Sequence, residues 1–139
     1  MRLLLLLMIC FAAATSYAQQ QWVEYKAAKQ TANTKNIVLI SGDEEYRSEE
    51  ALPMLAQILA KRHGFNCTVL FSINPGDGSI DATYLSNIPG LEKLQSADLM
   101  VIFTRFRELP DEQMVFIDNY LKAGKPVIGM RTATHAFNY

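Results

Sequence analysis

Three short stretches of this sequence concentrate side chains that move protons, hold anions or hydrogen-bond a polyol, and each follows an apolar run. Ser41-Gly42-Asp43-Glu44-Glu45-Tyr46-Arg47 follows Asn36 to Ile40, Thr104-Arg105-Phe106-Arg107 follows Asp98 to Phe103, and Arg131-Thr132-Ala133-Thr134-His135 follows Lys125 to Met130. Glu44 and Glu45 are the carboxylates placed to act as general bases, although loop acids are commonly only solvated. His135 has the chemistry of an acid, a base, a metal ligand or a hydrogen-bonded structural residue. Arg105 suits a crevice role, and Arg107 suits a surface ion pair. The assignment that follows is His135 and Glu45 as catalytic candidates, with Glu44, Tyr46, Arg105, Arg131 and Thr132 as substrate-binding candidates.

Other reactive types read as structural. Cys67 sits within a β-rich run, where a buried thiol is the expected state. His63 lies at a helix C-terminus, where its charge favours the dipole. The loop from Asn74 to Ser79 holds two glycines but lacks a P-loop lysine and the G-x-G-x-x-G spacing, so it is a turn rather than a nucleotide cradle. No pair of His, Cys or acidic residues shows metal-ligand spacing on one helix, so no metal site and no cofactor is assigned.

The elements that position these stretches are legible from periodicity. Asn36 to Ile40 is a short, continuous, branched run, as expected of a strand covered on both faces. A helix begins around Ser48, with Glu49 and Glu50 at its positive end and Leu52, Leu55, Ala56 and Leu59 on one face; Pro53 moves its start toward Glu50 or bends it. His63 and Gly64 close it. Phe65 to Phe71 is a second strand, residues 80 to 96 hold short helical pieces, and Asp98 to Phe103 is a third strand. Pro110-Asp111-Glu112 opens a helix with Met114, Ile117 and Leu121 on one face, closed by Gly124, and Lys125 to Met130 is a fourth strand. Residues 19 to 35 read as a solvated lead-in. The alternation β-α-β-(α)-β-α-β specifies a parallel α/β sheet with right-handed crossovers. In a flavodoxin-like order, ligands sit outside the carboxyl ends of the first and third strands, and the three polar stretches converge there.

Residues 41 to 48, Ile102-Phe103-Thr104-Arg105-Phe106-Arg107 and Gly129-Met130-Arg131-Thr132-Ala133-Thr134-His135-Ala136-Phe137 together resemble the ThuA-like (trehalose-utilisation) family, over residues 36 to 139. The resemblance implies a class I glutamine amidotransferase-like fold, a flavodoxin-like sheet incomplete at its C-terminus, and a carbohydrate-related role. Amidotransferases of that fold place a cysteine in a G-x-C-x-G turn. Arg131 stands at that position here, and a guanidinium is no nucleophile, so glutamine hydrolysis by that route is not expected. An arginine on such a turn instead suits an anion, a carboxylate or sugar hydroxyls, or else pairs with Glu44 or Glu45 across the crevice.

Arg2, the apolar run from Leu3 to Ala14 and Ser16-Tyr17-Ala18 form a signal-peptide pattern over residues 1 to 18, which implies export to the periplasm or beyond and no stable membrane span after cleavage. The 139 residues less these 18 leave 121, enough for one small domain, and loss of Arg2 takes the formal charge from −1 to −2. With no basic block, nucleic acid is not an expected partner. Only Cys67 survives processing, so no intrachain disulfide forms and the core alone carries stability. The expected function is an exported domain binding or processing a small carbohydrate or polyol; the alternative is a non-catalytic ligand-binding or scaffold module.

Overall fold

The structure, a computed structural model, describes residues 21–138; the signal-peptide assignment lies outside these residues. Five strands form one mixed, mostly parallel sheet: β1 (Trp22–Tyr25), β2 (Asn36–Gly42), β3 (Asn66–Leu70), β4 (Leu99–Thr104) and β5 (Val127–Gly129). Their spatial order is β1-β3-β2-β4-β5, with β1 antiparallel to β3 and every other pairing parallel. Two α-helices, α1 (Ser48–His63) and α2 (Asp111–Lys122), pack on opposite faces. No helix among the described residues is long and apolar enough to cross a membrane.

The two faces follow the strand alternation, since successive side chains point to opposite sides. Ile37, Leu39, Val69, Val101 and Phe103 meet Leu52 and Ala56 of α1. Val38, Ile40, Met100 and Ile102 meet Ile117 and Tyr120 of α2 together with Leu91 and Leu94 from a 3-10 turn, Leu91–Ser96. That turn is what the short helical pieces expected between residues 80 and 96 amount to.

Two details differ from expectation, and a third fixes where α1 begins. The lead-in is not all coil, because Trp22 and Tyr25 anchor β1 on the sheet edge. Its seat requires Gly90, at φ +90°, where a Cβ would lie 2.9 Å from Leu70 and 3.0 Å from the Trp22 ring. Helix α1 starts at Ser48 with Pro53 inside it; the missing N–H falls in the second turn, where it costs a single bond rather than the start of the helix. On α2, Leu121 is exposed and Tyr120 is buried in its place, because the Tyr120 hydroxyl donates to the Pro126 carbonyl at 2.8 Å and draws its ring inward.

Strand β5 is open on both faces, with Ile128 50% exposed. Beside it lies a groove of about 630 Å³ walled by Leu55, Leu59, Phe65, Val101, Ile128 and Met130. After β5 the chain makes a short 3-10 turn, Arg131–His135, and Phe137 then bridges to Arg107 in parallel.

At the amino ends of the central strands, the Asp98 carboxylate accepts from the Asn36 N–H at 2.9 Å and from Lys35 Nζ at 3.0 Å. The Asn36 hydrogen bond, followed by that from Lys35, holds its carboxyl below the ordinary carboxylate range. A carboxyl depressed on folding stabilises the protein above its unfolded value, near pH 4, and that contribution fades as pH falls through the folded value. The urea midpoint of Asp98→Asn should therefore lie below wild type at pH 7 and approach it near pH 2. A gap that does not change with pH would contradict this linkage.

Candidate functional site

Strands β2 and β4 are central neighbours, and the chain leaves their carboxyl ends in opposite directions, β2 through α1 to β3 and β4 through α2 to β5. Gly42 and Thr104 lie side by side at that switch, the position where open α/β sheets leave a crevice. The loops after β2, β4 and β5 meet on this one rim.

The loops are tied beneath the rim. Ser48 Oγ accepts from the Gly42 N–H at 3.1 Å and the Asp43 N–H at 2.8 Å, drawing the β2 loop onto α1. Asp43 is buried, and its Oδ1 accepts from the Glu45 and Tyr46 N–H groups at 2.8 and 2.9 Å. The Thr132 hydroxyl donates to Asp43 Oδ2, so the loops after β2 and β5 are joined through one carboxylate. Gly42 leaves space for the Arg107 side chain: a Cβ there would meet Arg107 Cδ at 3.0 Å and Ser72 Oγ at 3.1 Å.

Strain concentrates on the same rim. Arg47 (φ 53°), Phe106 (φ 51°) and Arg131 (φ 50°) are the non-glycine residues with positive φ among those described, one in each loop. Such conformations cost on the order of 1–3 kcal/mol each and persist only where the surroundings impose them. Strand and turn pack tightly around Arg131, for a Cβ on Gly129 would stand 3.1 Å from that of Ala133.

The arginines divide their work unlike the expectation. Arg107 is no surface residue: its side chain is 0% exposed. Nε donates to the Arg105 carbonyl at 2.8 Å, Nη1 to Ser72 Oγ at 3.0 Å and to the carbonyls of Ala82 and Tyr84 at 2.9 and 3.2 Å, and Nη2 to Glu44 at 3.2 Å. Burial pulls its pKa down, and the Glu44 charge opposes that shift. Arg105 donates to Glu44 at 2.6 Å and pairs with Glu45 at 3.4 Å. Its pKa is raised, first by the Glu44 hydrogen bond. The pairing of Arg131 with Glu44 or Glu45 does not occur; its guanidinium lies 3.9 Å over the Tyr46 ring instead.

His135 stacks on Phe106 with ring centroids 4.9 Å apart, and its Nδ1 is 3.1 Å from Thr134 Oγ1. Arg105 stands over the other ring partner, its Cζ 4.9 Å from the Phe106 centroid. Glu44, Glu45, Tyr46, Arg105, Arg131 and His135 are thus brought to one rim by the contacts of their loops, whereas Thr132 is buried with its hydroxyl spent on Asp43. Asp43, Phe106 and Arg107 are the residues that sequence reasoning undervalued. A signal for the first existed, since an acid directly after a strand-ending Ser-Gly commonly caps its own loop.

Away from the rim, Cys67 is buried near the amino end of β3, and burial pushes its thiol up to about 11, which suits an inert core thiol. Among the described residues no group of three or more His, Cys, Asp or Glu is arranged to hold a metal ion. The chain matches no family model, no curated protein and no solved structure.

Proposed function

We propose that this rim binds a carbohydrate or related polyol, and that the chain is an exported ThuA-like domain with a class I glutamine amidotransferase-like fold. The observation that carries the reading is a pair of half-exposed aromatic rings, Tyr46 (41%) and Phe106 (42%), on a rim otherwise made of arginines, glutamates and a histidine. The ring surface left exposed beside these cations accepts the apolar side of a sugar, while guanidinium and imidazole N–H groups meet its hydroxyls. Glutamine amidotransfer has no place in it, because the strained turn presents Arg131 where a nucleophile would be needed.

Binding without turnover is the form of this reading that the geometry favours. Glu44 is paired with both Arg105 and Arg107, and Glu45 lies 3.4 Å from Arg105, so both carboxylates are charge-compensated, which favours their ionised, paired form over a poised base. The expected catalytic pair of Glu45 and His135 keeps its place on the rim but in a recognition role.

Calorimetric titration with a panel of sugars, sugar acids and polyols tests the proposal. Wild type should show saturable binding, and Phe106→Ala should weaken it about 3- to 10-fold, the worth of one aromatic stack. No saturable binding to any panel member would sink the proposal. Product formation abolished by His135→Ala would restore the enzyme reading.

A further inference from the structure

Four arginines stand at the rim, and three are spent. Arg47 pairs with Glu49 and Glu50. Arg107 distributes its donors over three carbonyls, a serine and Glu44. Arg105 engages Glu44 and Glu45. Arg131 differs, because among the described residues its side chain has no carboxylate or hydrogen-bond partner and is exposed, resting on the Tyr46 ring. A guanidinium lying on a ring face keeps its N–H donors in the plane of the fork, directed past the ring edge, and that planar fork matches two oxygens of a carboxylate or phosphate.

The backbone that carries this side chain is fixed before any ligand arrives. The Met130 N–H donates to the Ile102 carbonyl at 2.9 Å, the Thr132 hydroxyl is fixed to Asp43, and the Ala133 N–H closes onto the Met130 carbonyl at 3.0 Å. Arg131 is therefore pinned on both sides in a left-handed conformation that an arginine does not adopt by preference. The neighbouring acids do not compete for it: Asp43 is buried with both oxygens engaged, and Glu44 and Glu45 are paired with Arg105.

We infer that the ligand of this rim is a sugar bearing an oxyanion, a carboxylate or a phosphate, gripped bidentately by Arg131 on Tyr46. The inference rests on the carbohydrate reading above and narrows it. Hydrogen bonds to a charged acceptor are roughly twice as strong as those to a neutral hydroxyl, so the charged group would decide which sugar is held.

The test compares glucose, glucuronate and glucose 6-phosphate as calorimetric titrants of the wild-type chain, with Arg131→Ala and Arg131→Lys alongside. One or both anions should bind about tenfold or more tightly than glucose, and which one does identifies the oxyanion. In Arg131→Ala the ratio of anion to glucose affinity should collapse to near one, and Arg131→Lys should keep part of it, since a point charge attracts without the fork. Thermal unfolding of each variant checks that the fold persists. Equal wild-type affinity for all three titrants, or an anion preference surviving Arg131→Ala, overturns this inference and leaves the carbohydrate reading standing. No saturable binding to any of the three overturns the inference, and the wider sugar panel then decides the reading beneath it.

Discussion

Replacing Arg107 with alanine is expected to lower unfolding stability by about 3–5 kcal/mol, because several buried acceptors are left without a donor at about 1–3 kcal/mol each and relief of the buried cation offsets part of the sum. That is a large share of the roughly 5–15 kcal/mol that holds a domain together. The loss has identifiable parts. The carbonyls of Arg105, Ala82 and Tyr84 and the Ser72 hydroxyl each lose their donor, and Glu44 keeps only Arg105. Lysine should rescue little, because a single ammonium on a flexible stem does not span acceptors that the planar fork reaches together. Urea unfolding measures wild type and both variants. An Arg107→Ala variant within about 1 kcal/mol of wild type would show that this guanidinium is solvated rather than caged.

The second large effect belongs to Asp43. Its removal in Asp43→Ala deletes three hydrogen bonds to a buried carboxylate and is expected to cost about 2–4 kcal/mol, because bonds to charged groups contribute about 1.5–3 kcal/mol each and relief of the buried charge offsets part of the sum. Asp43→Asn should lose less: its carbonyl still accepts from the Glu45 and Tyr46 N–H groups, and only the link to Thr132 changes character. A global loss of stability does not by itself show that Asp43 joins the loops, so the diagnostic is local. The Phe106 and Arg107 N–H groups donate to the carbonyls of His135 and Ala136 at 3.0 and 2.8 Å, across the seam that the Asp43–Thr132 bond secures. Amide hydrogen exchange at Phe106 and Arg107 should accelerate more in Asp43→Ala than exchange at central β2 residues such as Leu39. Uniform acceleration throughout the chain would place Asp43 in general stability alone.

The variants also separate recognition from scaffolding. Arg107 and Asp43 touch no solvent and act by holding loops, so their substitutions should show in unfolding and exchange. Phe106 and Arg131 are exposed, and their substitutions should show in titrations while leaving the unfolding midpoint near that of wild type.

Much of this architecture was legible in the residues themselves. Continuous runs such as Ile37-Val38-Leu39-Ile40 and Met100-Val101-Ile102-Phe103 carry their burial on both faces in their composition, and the helical spacing of Leu52, Leu55, Ala56 and Leu59 marks α1. Alternation of these elements implies a mostly parallel sheet, which places three polar loops on one rim. Tertiary structure alone decided β1, since four residues with two large apolar groups become a strand only when Leu70 and Gly90 offer them a seat. It alone placed Tyr120 inside and Leu121 outside, because a hydroxyl bond to Pro126 outweighs helical spacing. The partners of the three arginines were likewise settled by the folded chain. Arg105, Arg107 and Arg131 are chemically identical, and what makes one a caged cation, one a glutamate clamp and one a fork stacked on Tyr46 is the burial and the set of partners that the closed loops bring to each. Sequence spacing encodes the period of an element; it does not encode how much water remains around a side chain once the loops have closed.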